Sequence, residues 1–326
     1  MTRRDRRDLV LFASAPLSAL ALHMLATRGD EEFLLIALLR YGPPLLPLAP
    51  MGLIALVFAL RRRWRWLLAL TLLALPITVR LLPVRLAPRA HRPRGGWRLM
   101  AWNVEKYDHG VRGVISVIRR ADPDVICLSE AGRYFWHPDA LRRPEPLDQE
   151  LAEYTLIDAG ELRVYSRLPV LAHAVVPLRN GEPTRPLLHV TVDARPDHEA
   201  SEAQTAVEIV CMHAPPTYLR TYFDVWAPWS RTRRAHAQEV CAALPRGAVV
   251  LTGDFNASEA APTWSCLEPL GLVDQWTRVG SGLGVTTAHL QRIDRAFATD
   301  AAKARAIEVF ETDASDHHAL LVDFER

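Results

Sequence analysis

Lysine is nearly missing from this chain: Lys106 and Lys303 are its only two among 326 residues, so the positive charge is carried by arginine. The formal net charge is only +2, and no long basic insert appears. Charge by itself therefore marks no nucleic-acid-binding surface. The four cysteines, Cys127, Cys211, Cys241 and Cys266, show no CxxC or other metal-ligand spacing, which excludes a cysteine-built zinc site. Cys127 and Cys211 lie within apolar strand-like runs and are expected to be buried free thiols. No Ser or Cys stands in a nucleophile-elbow pattern, so a hydrolase built from this sequence would use direct attack by water.

Acidic residues are also scarce before residue 97, and that asymmetry divides the chain. Residues 1–96 read as a membrane region with an Arg/Pro-rich linker, and 97–326 as one globular domain with ample length for a core. Leu9 to Ala26 is an uncharged apolar run behind Arg3, Arg4, Arg6 and Arg7, long enough for a first transmembrane helix. A cleavable signal peptide has the same signature, but more apolar segments follow at once. Arg40, Gly42, Pro43 and Pro44 break the next run, so a second span should begin near Pro44 and end at Leu60. A third, from about Trp64 to Leu82, is flanked by Arg61, Arg62, Arg63 and Arg65 and contains Pro76 and Arg80. Arginines before span one and between spans two and three, set against Asp30, Glu31 and Glu32 in the first loop, obey the positive-inside rule. Three spans place the globular part outside, although Arg85, Arg89, Arg92 and Arg94 would favour the cytoplasm. If the third segment only lies in the interface, the domain is cytoplasmic.

From Arg98 onward, apolar runs of strand length alternate with turns: 98–104, 125–129, 162–166, 187–192, 207–212, 248–252, 293–298 and 319–324. Val111 to Arg120 and Arg233 to Leu244 have helical periodicity. The expected class is α/β, a mixed sheet with covering helices. Asn103, Glu130, His213, Asp254 and Asn256 end or follow strands, whereas Asp294, Asp316 and His317 begin or precede them. In a mixed sheet these positions share one edge, because strands running one way end where their antiparallel neighbours start. Their chemistry suits phosphoester hydrolysis. Carboxylate and amide oxygens from Glu130, Asn103 and Asp316 are the donors a hard cation such as Mg²⁺ or Mn²⁺ prefers. His213 and His317 can donate to phosphoryl oxygens or move protons, Asp254 can orient water, and the Asn256 amide can stabilise a developing negative oxygen.

These residues sit in Ala-Trp-Asn-Val, Ile-Cys-Leu-Ser-Glu, Tyr-Ser-Arg-Leu-Pro, Cys-Met-His-Ala-Pro, Leu-Thr-Gly-Asp-Phe-Asn, Gln-Arg-Ile-Asp-Arg-Ala-Phe and Ala-Ser-Asp-His-His. In that order the segments resemble the endonuclease/exonuclease/phosphatase superfamily, which includes DNase I-like nucleases, abasic-site endonucleases, inositol polyphosphate phosphatases and neutral sphingomyelinases. The resemblance covers Trp97 to Arg326. It implies a four-layer α/β sandwich of DNase I type behind an N-terminal transmembrane helical region, and a metal-dependent phosphoesterase. It further implies Glu130 as principal metal ligand with Asn103 beside it, Asp316 holding the metal or its waters, and Asp294 orienting His317. Asp254 would position water, and Asn256 and His213 would contact the scissile phosphate.

His318 is expected to point away from His317 in a strand, and Arg167 to brace a sheet edge. The segment from Thr217 to Arg234 has two readings. It is either an aromatic loop pinned to the domain or a substrate-side or membrane-touching loop using Tyr218, Tyr222, Trp226 and Arg231. The leading expectation is a membrane-anchored Mg²⁺-dependent or Mn²⁺-dependent phosphodiesterase whose partners are the lipid bilayer and a phosphoester of unspecified class; no protein partner is inferred. The alternative is a catalytically silent membrane-bound module on the same fold.

Overall fold

The computed structural model describes residues 3–82, 84–85, 96–132, 145–180, 185–194, 206–217, 225–259 and 261–325. It begins with four helices: α1 (Arg3–Arg28), α2 (Leu34–Tyr41), α3 (Ala49–Leu60) and α4 (Trp64–Leu81). The short β1 (Val84–Arg85) leads to β2 (Trp97–Asn103), α5 (Val111–Ala121), β3 (Val125–Ser129), α6 (Glu145–Glu150), β4 (Thr155–Ala159), β5 (Leu162–Ser166), β6 (Val170–Val176) and β7 (Leu187–Asp193). Then come β8 (Ala206–His213), α7 (Trp226–Ala243), β9 (Val249–Asp254), β10 (Val273–Asp274), α8 (Gln275–Val279), β11 (Gly282–Leu283), β12 (Asp294–Ala298), β13 (Ala304–Phe310) and β14 (Ala319–Phe324).

Two six-stranded sheets face each other, in the orders β13-β14-β2-β3-β5-β4 and β10-β12-β9-β8-β7-β6. Each is built around one parallel pair, β2 with β3 and β8 with β9, flanked by antiparallel strands. Strand alternation explains the layering. In β2, Trp97, Leu99 and Ala101 face the space between the sheets, while Met100 and Trp102 face α5 and α6. In β8, Ile209 and Cys211 face inward, whereas Val210 and Met212 meet α7 and the 3₁₀ segment Pro262–Leu270. The result is helices, sheet, sheet, helices, the four-layer sandwich expected.

α5 buries Val114, Val117, Ile118 and Ala121, one helical stripe, and ends where Asp122 turns left-handed. α7 starts two turns before the expected Arg233. Its inner stripe includes the polar Arg233 and His236 among Trp226, Trp229, Ala237 and Val240, which hid the period from hydrophobicity alone. The two-residue β1, β10 and β11 were not anticipated, nor were the longer β4, β6 and β13. They are edge strands, and β6 exposes five of its seven residues, so little apolar alternation marks them.

Cys127 and Cys211, expected to be free thiols, instead pair with each other, and a second disulfide joins Cys241 to Cys266. The first joins the two sheets through inward-facing positions of β3 and β8. The second ties α7 to the segment Pro262–Leu270. Neither pairing is visible in a sequence separation of 84 or 25 residues.

Among the N-terminal helices, Arg4–Arg28 is long and apolar enough to cross a membrane. Leu34–Tyr41 and Leu46–Leu60 pass the same test only as a pair, and they meet at 106°, the break foreseen at Gly42 to Pro44. Trp64–Val79 is a shorter apolar helix. The helices run back and forth. Asp8 near the start of α1 bonds Arg63 in the α3–α4 turn at 3.0 Å, while the far end of α1 meets α2 through Arg40 Nε donating to Ala26 O at 2.8 Å.

Candidate active site

Asn103, His213 and Asp254 are the last residues of β2, β8 and β9, and Asp294 is the first of the antiparallel β12. Register places His213 opposite Asp254, and Asp254 opposite Asp294. All four share strand parity with the inward-facing residues Ala101, Cys211, Val250 and Ala296. Alternation therefore aims them at the mouth between the sheets. Glu130 follows β3, and regular alternation would carry it to the helix face with Leu128. Its left-handed backbone, φ 53°, ends that alternation.

The side chains converge. Asn103 Nδ2 donates to Asp254 Oδ2 at 3.1 Å and to Glu130 Oε1 at 3.4 Å. His213 Nε2 lies 3.6 Å from Asp254 Oδ2 and 3.7 Å from Glu130 Oε1. Asp294 Oδ2 and His317 Nδ1 are 2.7 Å apart. The His317 backbone is held from β2, because Trp102 Nε1 donates to its carbonyl at 2.9 Å. Ser315 Oγ donates to Asn103 O at 2.7 Å, tying the same loop to the strand that carries Asn103. Burial by itself pushes the His317 imidazole down, but the adjacent Asp294 carboxylate, helped by Asp254 and Asp316, outweighs it and the pKa is pushed up to about 10. At neutral pH His317 is therefore an imidazolium, a donor for an anionic oxygen.

Asn256 takes a left-handed turn with φ 46°, which asparagine tolerates better than most residues. Its amide nitrogen donates to Ala214 O at 3.0 Å and to Asp254 Oδ2 at 3.1 Å. In this arrangement it braces Asp254 instead of presenting a free donor to substrate. Asp316 is the outlying member: its side chain is 57% exposed and Oδ1 stands 4.0 Å from His317 Nε2.

Sequence reasoning missed Glu161. It is buried at the start of β5, with Oε2 3.2 Å from His213 Nδ1 and 3.7 Å from Arg185 Nη1. An acidic residue before an apolar strand was its only signal, and such residues are usually solvated. The aromatic segment after His213 is only partly described: Tyr218 and Tyr222 lie outside the described residues. Of the two substrate contacts expected in the described part of this segment, Trp226 is turned away from solvent, while Arg231 lies half-exposed in an ion pair. Trp226 is buried and donates Nε1 to Glu31 O at 2.5 Å, and Arg231 pairs with Glu32 at 2.5 Å. Both are engaged by the corner between α1 and α2. Arg167 pairs with Asp122 while lying over the Tyr154 ring, the bracing role expected of it, and His318, just before β14 and not in a strand, bonds Thr312.

Asp254, Asp294 and His317 form a cluster whose ligand atoms lie within 4.8 Å of one another, so the most compact carboxylate-histidine group differs from the expected metal set Asn103, Glu130 and Asp316. His317 Nδ1 is engaged by Asp294, and the carboxylates and the Asn103 amide supply the oxygen donors. Asp294 Oδ1 is buried without a hydrogen-bond partner among the described residues. A hard oxygen-rich donor set with an unmatched buried carboxylate oxygen fits a divalent cation.

The comparisons with known proteins bear on the fold and the family. An endonuclease/exonuclease/phosphatase from Beutenbergia cavernae DSM 12333 is 24% identical with a TM-score of 0.55, covering 72% of each chain. A humanized D. rerio TDP2 is 17% identical with a TM-score of 0.54, covering 71% of this chain and all of its own. The Bacteroides vulgatus endonuclease/exonuclease/phosphatase is 18% identical with a TM-score of 0.53, covering 71% of this chain and 98% of its own. At these identities the likeness establishes the fold. No curated protein matches. Residues 100–317 match the Endonuclease/Exonuclease/phosphatase family over two thirds of the sequence, from β2 to His317, and the chain belongs to that family of phosphoester hydrolases.

Proposed function

We propose that this protein is a divalent-metal-dependent phosphodiesterase held at a membrane by its N-terminal helices. The observation that carries the reading is the single mouth between two sheets where Asn103, Glu130, His213, Asp254, Asp294 and His317 meet. Glu130 and Asn103 would hold Mg²⁺ or Mn²⁺, with the Asp294 and Asp254 carboxylates beside them. The ion would supply charge neutralisation at the phosphate. Asp254, oriented by the Asn103 and Asn256 amides, accepts a hydrogen bond from the attacking water. His317, kept protonated by Asp294, donates to a phosphoryl oxygen on which charge builds, and His213, held by Glu161, lies where it can donate to a second.

Two features support an external, non-cytoplasmic catalytic part. The basic end of the helices gathers Arg4, Arg7, Arg61, Arg62 and Arg63, and the sandwich docks at the opposite end through residues 30–42. Cytoplasmic arginines then put the sandwich outside. Two disulfides suit an oxidising compartment.

The test is hydrolysis of bis(p-nitrophenyl) phosphate by the full chain in detergent, with Mg²⁺ or Mn²⁺ and with chelator. Turnover should need the metal, and cation binding followed by calorimetry should weaken in Glu130→Gln. Glu130→Ala, Asp254→Ala and His317→Ala should each lower turnover at least about a hundredfold with native circular dichroism. Chelator-resistant turnover would reject the metal, and inactivity on every phosphoester would favour the silent module.

A further inference from the structure

The loops that follow His213 and Asp254 are joined from behind by one side chain. Arg233, on α7 and 2% exposed, donates Nη2 to Asn256 O at 2.8 Å and Nε to Pro215 O at 3.2 Å. Pro215 lies two residues beyond His213, and Asn256 two beyond Asp254. Arg233 thereby fixes the spacing of two strand ends whose side chains must meet at the mouth.

The guanidinium is held from outside the sandwich. Its centre lies 4.8 Å from the centroid of the Tyr41 ring, which comes from α2 in the N-terminal helices. Tyr41 is itself locked. Its hydroxyl donates to Glu31 Oε2 at 2.6 Å and lies 3.2 Å from Thr263 Oγ1. Glu31 is 1% exposed and also receives Arg40 Nη1 at 3.2 Å. The backbone at the C-terminal end of α2 reaches the site loop directly. Ser258 Oγ, two residues past Asn256, donates to Arg40 O at 2.7 Å, and Gln291 Nε2 donates to the carbonyls of Tyr41 and Gly42. Ala37 and Tyr41 belong to the same apolar cluster as Phe255 and Ala257, the neighbours of Asn256 in sequence. Buried ion pairs and hydrogen bonds of this kind hold one arrangement strongly, because any alternative leaves several polar groups unmatched.

We propose that the C-terminal end of α2 is a positioning element of the active site: Tyr41, locked by Glu31, holds Arg233, and Arg233 holds the Asp254–Asn256 loop at its working distance from His213. The proposal rests on the phosphoesterase reading for its kinetic consequence, but the mechanical link stands on contacts alone. The anchor would then do more than retain the protein at a membrane; it would complete the frame of the site.

The test uses the full chain in detergent with Arg233→Gln, Arg233→Lys, Tyr41→Leu and Tyr41→Phe. Glu32→Gln, which loosens the rim ion pairs of the α1–α2 corner with Arg231 and Arg234, serves as control. Arg233→Gln and Tyr41→Leu should lower kcat tenfold or more with KM changed less than threefold. Arg233→Lys should recover part of the loss, Tyr41→Phe should stay within threefold of wild type because the ring remains, and Glu32→Gln should match wild type. Hydrogen exchange is followed in parallel. Peptides covering 252–258 should exchange at least tenfold faster in Arg233→Gln and Tyr41→Leu, while those of β2 and β3 keep wild-type protection. Wild-type exchange in 252–258 together with wild-type kcat would overturn the proposal, as would uniform loss of protection across the sandwich, which would make the contacts general stabilisers. If the wild-type chain hydrolyses nothing yet exchange responds as stated, the catalytic reading fails and the brace stands.

Discussion

His213 and His317 show how two identical side chains acquire different settings from their neighbours. His317 is paired with Asp294 at 2.7 Å and stays protonated, whereas His213 is set between Glu161 on one ring nitrogen and Glu130 and Asp254 on the other. Glu161→Gln keeps the shape but removes the charge that orients the His213 ring. Turnover should fall about tenfold or more, as for other carboxylates that orient a site histidine, with the melting temperature little changed; wild-type kcat would make Glu161 a packing residue. A third histidine, His236, belongs to stability. Burial pushes its pKa down from the ordinary 6.5 to about 4, although its Nδ1–H donates to Asn180 O. The unfolded chain therefore takes up this proton first as pH falls. The neutral, buried imidazole contributes stability that is fully present above pH 6.5 and is lost as pH drops towards 4, by about 3 kcal/mol over that window. Urea unfolding at pH 7 and pH 4.5 should show a smaller acid loss in His236→Phe than in wild type; equal losses would assign the acid sensitivity to other groups.

At the level of elements, the close pairing of β8 with β9 sets the spacing of His213 and Asp254. Gly253 makes it possible. Its φ is 134°, and a Cβ there would come within 2.0 Å of Met212 O on the neighbouring strand. Gly253→Ala should therefore separate the strand ends or unfold them, costing about 3 kcal/mol, and calorimetry of the variant checks it. An unchanged melting temperature would mean that the strands relax freely at this point. The Gln-Arg-Ile-Asp-Arg-Ala-Phe segment is anchored similarly. Arg292 and Arg295 both reach Asp274, whose carboxyl, despite burial that raises it, is held well below the usual carboxylate range by the two guanidinium groups. That pairing fixes the start of β12, where Asp294 emerges.

For the whole molecule, the N-terminal helices and the sandwich meet at buried contacts, so orientation in a membrane would be transmitted to the site. α1 spans about 39 Å as a helix, enough for a bilayer core, with Arg4, Arg6 and Arg7 at the end away from the sandwich and Arg28 alone at the near end. Alkaline phosphatase fused after Arg326 should be active in intact cells, and protease added outside should cut the sandwich. A fluorescent cytoplasm-only reporter and full protection would instead place the sandwich inside.

Periodicity and motif order were enough to read the central strands β2, β3, β5, β7, β8, β9, β12 and β14, because buried strands must alternate and their ends must carry the polar residues that a core excludes. The same logic named Asn103, Glu130, His213, Asp254, Asp294 and His317 as neighbours before any contact was known. The edge strands β4 and β6 escaped it, since exposure relaxes the pattern. Glu161 escaped because a carboxylate is ambiguous until its burial is known. The pairing of Cys127 with Cys211, the burial of Trp226 against Glu31 and the stacking of Tyr41 on Arg233 join residues 84, 195 and 192 positions apart. Local sequence determines which face of a strand or helix is apolar; it does not determine which distant face will cover it. That choice depends on shape and on the matching of buried polar groups, which exist only once the layers have packed.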